Sequence, residues 1–269
     1  MKIINTILLI FFFANFIFVG CKSYNVKPTI GALERFDVAK KMFKNKDYME
    51  AKTQFKIVTL NNPGAVFVDE AQFYLGECHF NLKEYVLAAD EYGRLVRLYP
   101  RSDWLDDAQF KVALCDYKLS PKPSLDQTYT SKAVDNFQRF LEDFPESDLV
   151  PQADKLLKIC RTKLAEKEYK AGELYWRMHD YYGAQIYFNS VLNNFYDTEF
   201  VEDATYWKAE SLYKLSRNRE SRETFEELLR KFPSSEYKLK IKERLEKIDD
   251  ILSKEDVSGL SPLLENSKN

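Results

Sequence analysis

One short pattern recurs five times along this chain of 269 residues: an aromatic, an alanine three places on, an aromatic four places after that, and a proline eight further on. The copies are Tyr48, Ala51, Phe55, Pro63; then Tyr85, Ala88, Tyr92, Pro100; then Ala133, Phe137, Pro145; then Tyr181, Ala184, Phe188, Tyr196; then Ser221, Phe225, Pro233. Ser221 stands at the alanine place of the fifth copy and Tyr196 at the proline place of the fourth. A period held over a whole chain means units that cannot bury an apolar face alone and so stack on their neighbours. Stacked units present an extended surface rather than an enclosed catalytic pocket.

Each unit reads as two helices. In the first unit, Phe36, Ala39, Met42 and Phe43 share one face of helix one, and Tyr48, Ala51, Phe55 and Val58 share one face of helix two. Steps of three and four residues are the helical period, and Asn45, Lys46 and Asp47 form a polar turn between the two. Small residues stand 12 positions apart where the helices must cross closely: Ala39 and Ala51, Gly76 and Ala88, Ala209 and Ser221. The proline stops the second helix, because it lacks an N–H and disfavours helix just before it. After it, Ser102, Ser147 and Thr198 are expected to cap the next helix, with acids in the first turn. The layout resembles tetratricopeptide repeats, so the expected fold is an all-α superhelical solenoid of about five such units.

Two irregularities break the period. Ala113 to Ala133 spans 20 positions instead of 12, which places eight extra residues, with Pro121 and Pro123, in a loop within repeat three. Long loops in compact folds are often functional. The run from Asp148 to Met178 predicts an extra helix before the first helix of repeat four, separate from it or fused to it. After Pro233 an amphipathic helix to about Ser253 is expected to cap the array. Residues 254–269 lack a helical pattern and are expected to be disordered.

Little in the chain suggests catalysis. The two histidines, His79 and His179, stand at no metal-ligand interval from cysteine or carboxylate, and there is no glycine-rich phosphate loop or nucleophile elbow. His179 reads as a solvated turn residue. Lys plus Arg total 40 against 42 Asp plus Glu, which offers no basic excess for nucleic acid. The expectation is a non-enzyme with neither metal nor nucleic-acid partner. Cys78, Cys115 and Cys160 read as small buried apolar residues, since equivalent places on neighbouring helices lie beyond disulfide reach.

Residues 1–20 are of another kind: Lys2, then an almost wholly apolar run from Ile3 to Gly20, then Cys21. A positive start, an apolar stretch and a small residue before the cut make a secretory signal. An uncleaved anchor is the alternative, since about 20 apolar residues can span a bilayer. The run stops at Gly20 and Cys21 rather than at a charged cluster, which favours cleavage. Phe18, Val19, Gly20 and Cys21 resemble a bacterial lipobox, with Phe18 where leucine is usual. This resemblance implies a diacylglycerol and an N-acyl chain on Cys21, and no other cofactor. Acyl chains anchor a protein without spanning the bilayer. Residues 21–31 would be the acylated tether, 32–145 the first three repeats, and 146–253 repeats four and five with the cap.

The lipobox, short tether, repeat count and irregular third and fourth repeats together resemble the BamD family, lipoproteins of the outer-membrane β-barrel assembly machinery. The segment from Leu119 through Thr130, followed by Ala133, Phe137, Phe140 and Phe144 to Ser147, is similar to forms from Bacteroidota-type bacteria, as is the run ending in Ala171 to Tyr182. The resemblance implies a lipid-anchored protein on the periplasmic face of the outer membrane. It also implies a BamA-like barrel partner for the C-terminal half and unfolded barrel-protein segments for the N-terminal repeats. Repeat phase then predicts a peptide groove on the concave first-helix faces of repeats one and two. Phe36, Lys40 and Phe43 would line it, with Phe73, Glu77 and Phe80. The rings would take an incoming aromatic and Lys40 its carboxylate; the same rings can instead pack repeat against repeat. The alternative function is a lipoprotein coordinating cell-wall synthesis or another envelope complex. Such proteins usually carry an N-terminal coiled coil, and none is seen between Cys21 and Leu33.

Overall fold

A computed structural model describes the backbone of residues 30–265 and the side chains of residues 30–255. The signal segment and Cys21 lie outside the described residues. Among those described there are eleven α-helices and no strand. They are α1 (Ala32–Lys44), α2 (Tyr48–Asn61), α3 (Val68–Asn81), α4 (Tyr85–Leu98), α5 (Leu105–Leu119), α6 (Thr128–Asp143), α7 (Val150–Arg177), α8 (Tyr181–Asn194), α9 (Val201–Lys214), α10 (Asn218–Lys231) and α11 (Lys238–Glu265). Odd-numbered helices α1 to α9 are the first helices of the five repeats, even-numbered ones the second. Each helix packs chiefly on its neighbours in sequence, and first helices of adjacent units also touch, α1 on α3 and α5 on α7. This is a helix-pair solenoid.

The repeat pattern maps onto the packing. The second aromatics, Phe55, Tyr92, Phe137, Phe188 and Phe225, are all fully buried. Each such ring contributes about 1.5–3 kcal/mol over leaving it in water. The small residues across from them, Ala39, Ala113 and Ala209 as well as Gly76 and Gly172, admit those rings. At the two glycines the approach is closest: a Cβ on Gly76 would lie 2.6 Å from the Tyr92 ring, and one on Gly172 2.6 Å from that of Phe188. Cys78, Cys115 and Cys160 are free and buried in the same layer. Burial pushes the Cys78 and Cys115 thiols up to about 12 and Cys160 to about 11, so all three stay protonated.

The turns within repeats one, two, four and five share one solution. Lys46, Lys83, His179 and Ser216 sit at φ of 66°, 63°, 62° and 58°. Around Lys46, its N–H donates to the Phe43 carbonyl at 2.9 Å and the Asp47 N–H to that of Met42 at 3.0 Å. The same pair of bonds recurs at the other three turns. A left-handed residue closed by this bond pair is the Schellman helix stop. The second helices end equally uniformly. Asn62, Tyr99, Phe144 and Phe232 precede the prolines with φ between −136° and −127°, and Phe195 before Tyr196 has φ −132°. The stop therefore holds without proline.

Several expectations are corrected. The serines after the prolines do not cap the next helix, which starts later, with Trp104 and Leu149 at the cap positions and no side-chain cap bond. Instead Ser102 and Ser147 accept the N–H of Trp104 and Leu149, at 3.1 and 3.3 Å, within the linker turn. Their hydroxyls donate to Asp69 and Asp106 of the preceding repeat, each at 2.7 Å. Thr198 donates to the Phe195 carbonyl at 2.8 Å. Of the two expectations for the run before repeat four, the fused one holds: α7 is one helix of 28 residues. Its first half packs on repeat three, its second half on α8. The last helix does not stop near Ser253 but runs to Glu265, so 254–265 are helical rather than disordered; 266–269 lie outside the described residues. Ile241, Ile248 and Leu252 of α11 are buried on repeat five, as a cap requires.

Candidate functional site

The first-helix face is lined by a ladder of aromatics, one per repeat. Four residues after each small residue stands Phe43, Phe80, Tyr117, Trp176 or Tyr213, every one half-buried. The first aromatic of the repeat motif supports it edge-on. Tyr48 meets Phe43 with ring centroids 5.3 Å apart at 65°, Tyr85 meets Phe80 at 5.3 Å and 66°, and Tyr181 meets Trp176 at 4.9 Å and 63°. Such T-shaped contacts satisfy the ring quadrupoles and fix each ring in place. Repeats three and five lack that tyrosine, having Thr130 and Asn218 there. In those two repeats cations cover the ring: Lys163 and Lys118 lie 6.0 and 5.9 Å from Tyr117, and Arg244 lies 4.2 Å from Tyr213.

The six groove residues predicted from the sequence divide into three kinds. Phe36 and Phe73 are buried between repeats, Phe36 stacked on Phe67 at 5.0 Å and Phe73 on Trp104 at 4.6 Å. Lys40 and Glu77 are bound to the next repeat. The Lys40 ammonium donates to Glu70 at 2.6 Å, and that bond holds it above the ordinary lysine range despite partial burial. Glu77 accepts from Tyr92 Oη and from Lys111 Nζ, each at 2.5 Å. Phe43 and Phe80 are half-buried, as rungs of the ladder, and neither lies sealed between repeats as Phe36 and Phe73 do. Lys111 lies 4.9 Å over the Phe80 ring.

An ion pair of the same kind joins the last first helix to the cap in the C-terminal half. Arg244 of α11 grips Glu210 of α9 with two bonds of 2.8 Å, a bidentate pair on a buried carboxylate. Glu210, Glu77 and Lys40 each directly follow the small residue of their repeat. Sequence reasoning missed their partners Glu70, Lys111 and Arg244. The signal was present: a charge one place after the small residue, and an opposite charge 30 to 34 positions on. A further link joins repeats one and two, where Lys52 donates to Glu84 at 2.9 Å and His79 Nδ1 lies 2.6 Å from the same carboxylate.

The repeat-three insertion is an ordered loop. Buried Gln127 donates to the carbonyls of Lys122 at 2.7 Å and Leu125 at 3.1 Å. Helix α7 holds the loop from outside, with Lys163 donating to Ser120 Oγ at 2.7 Å and Lys167 to the Leu125 carbonyl at 3.0 Å. In the C-terminal half Met178, Tyr182 and Ile186 expose an apolar strip from the α7 end onto α8. No group of residues able to hold a metal occurs among the described residues, nor any helix long and apolar enough to cross a membrane.

Residues 31–224 match a family model described as YfiO, outer membrane lipoprotein, a span of more than two thirds of the chain. No curated protein matches. Solved structures resemble it over most of their length. One is the TPR2AB-domain:pHSP90 complex of yeast Sti1, at 17% identity and TM-score 0.41, covering 86% of this chain and 87% of that one. Another is a tetratricopeptide repeat protein from Parabacteroides merdae, at 15% identity and TM-score 0.36, covering 86% and 79%. A third is the tetratricopeptide protein TTC0263 of Thermus thermophilus, at 14% identity and TM-score 0.35, covering 81% and 98%.

Proposed function

This chain belongs to the YfiO family of outer membrane lipoproteins, the BamD family that its sequence resembles, and on that premise we propose that it is an assembly scaffold for outer-membrane β-barrel proteins. It is anchored through acyl chains on Cys21 at the periplasmic face. It binds a BamA-like barrel protein through its C-terminal half and unfolded barrel segments through the first-helix face of its N-terminal repeats. The family match carries this reading. The half-open rungs Phe43 and Phe80 supply the chemistry for it, since stationary half-buried rings accept apolar side chains at small entropic cost. Within the six-residue groove, Phe36 and Phe73 set the repeat spacing, while Lys40 and Glu77 lock the repeats through their ion pairs.

Affinity purification of the lipidated protein from its native envelope tests the assignment. Co-recovery of a large barrel protein with periplasmic domains is the expected outcome; recovery of cell-wall enzymes alone would sink it. For the face itself, the Phe43→Ala/Phe80→Ala double variant is expected to bind a barrel-derived peptide about tenfold or more weakly, with its helical circular dichroism retained.

A further inference from the structure

Cations stand against aromatics of the first-helix face in several repeats, and nearly all are neutralised. Lys40, over Phe36 at 5.2 Å, holds Glu70; Lys111, over Phe80, holds Glu77. Lys170, over Tyr169 at 5.5 Å, holds Glu173, and Arg244, over Tyr213, holds Glu210. Repeat three is the exception. Among the described residues, neither Lys118 nor Lys163 beside Tyr117 makes an ion pair. The adjacent Asp116 is buried and bound by Asn136 Nδ2 at 2.8 Å.

The uncompensated charge is built in by the irregularity of that repeat. Thr130 takes the place of the tyrosine that elsewhere props the ladder ring, and it is fully buried. The Gln127 amide donates to loop carbonyls, so its oxygen is the acceptor for Thr130 Oγ1 at 2.6 Å. Thr130 has one proton and spends it there, so Ser120 donates to Thr130 across 2.6 Å and accepts from Lys163 at 2.7 Å. The relay fixes the Lys163 ammonium through neutral hydroxyls alone. Two of its three protons remain uncommitted, on a half-buried group. A half-buried cation with no counter-charge is costly, and an arriving carboxylate offsets that cost.

We propose that Tyr117, Lys118 and Lys163 form the subsite that receives the free terminal carboxylate of the bound segment, with its last aromatic side chain on the Tyr117 ring. The occupant follows from charge complementarity: an aromatic rung with two cations that no acid pairs suits an aromatic residue that carries its own anion. Lys40, which the sequence pattern assigns to this carboxylate, already holds Glu70. The segment therefore ends at repeat three and runs back over Phe80 and Phe43. This inference rests on the reading that the first-helix face binds unfolded segments.

A fluorescent ten-residue peptide ending in phenylalanine, made as free acid and as C-terminal amide, tests it by anisotropy. The acid is expected to bind the wild type about tenfold more tightly than the amide. Lys118→Gln/Lys163→Gln should erase that preference, leaving both peptides at the amide affinity. Lys163→Arg should retain it and Lys40→Gln should not change it. Lys118→Gln alone, which breaks no hydrogen bond, should lose part of it, which guards against misfolding of the double variant. A preference that survives the double variant overturns the proposal, as does equal binding of acid and amide by the wild type; the peptide-face reading stands in both cases. Failure of the wild type to bind either peptide overturns both.

Discussion

Gly76 and Gly172 occupy helix interiors, where alanine should be preferred by about 1 kcal/mol. Alanine does stand at the equivalent places Ala39, Ala113 and Ala209. The difference lies in the opposing rings. Tyr92 cannot withdraw from Gly76, because its hydroxyl is fastened to Glu77. We expect Gly76→Ala to destabilise the protein by about 1–3 kcal/mol, and Gly76→Ala/Tyr92→Phe to recover part of that, since the freed ring can shift. Thermal melts decide it: a higher melting temperature for Gly76→Ala would remove the close-approach argument. The interval of 12 between small residues is legible in the sequence, because helix crossing leaves a local signature. The reason for glycine over alanine at position 76 is not, because it depends on a hydrogen bond made by a third residue, Glu77; at Gly172 the opposing ring is Phe188, which has no such tether. The same holds for the candidate face. The rings of Phe43 and Phe80 are legible from repeat phase, whereas the burial of Phe36 and Phe73 depends on Phe67 and Trp104 from the linkers.

Helices α2, α3 and α4 are joined where Lys52 and His79 converge on Glu84. Lys52 above all, and His79 with it, hold the Glu84 carboxyl below its ordinary value, against the opposing effect of burial. A carboxyl lowered on folding stabilises the fold above its unfolded value near 4.5, and that contribution disappears as pH falls through the lower folded value. Glu84→Gln should therefore melt below the wild type at neutral pH, by no more than about 1 kcal/mol because the group is partly exposed. The gap should close as pH drops below the unfolded value near 4.5 and through the lower folded value. A gap independent of pH would deny the link any ionic character. Among elements, α7 shows where local pattern reaches its limit. Its helical period is plain from Asp148 to Met178, yet nothing local distinguishes two helices from one. What joins them is that Ala153, Cys160 and Ala165 keep one face buried through the middle, so the packing surface continues without a break.

At the scale of the molecule, stability passes from neighbour to neighbour. Removing residues 238–269 would expose Phe225 and Leu228 and free Glu210 of its arginine. Hydrogen exchange should then rise in α9 and α10 while α1 to α6 keep their protection. A uniform loss along the array would mean that it unfolds as one unit. The charged links between first helices also bear on how such an array can change its length. Repeat one offers a lysine to a glutamate of its successor, repeat two a glutamate to Lys111 of its own successor. The place that Lys111 fills in repeat three is held by Tyr74 in repeat two. A tandem duplication of repeat two would thus set Glu77 opposite a tyrosine and strand its carboxylate. Units of this chain have diverged into non-interchangeable parts, so genetic slippage that copies one of them yields a defective seam instead of a longer protein.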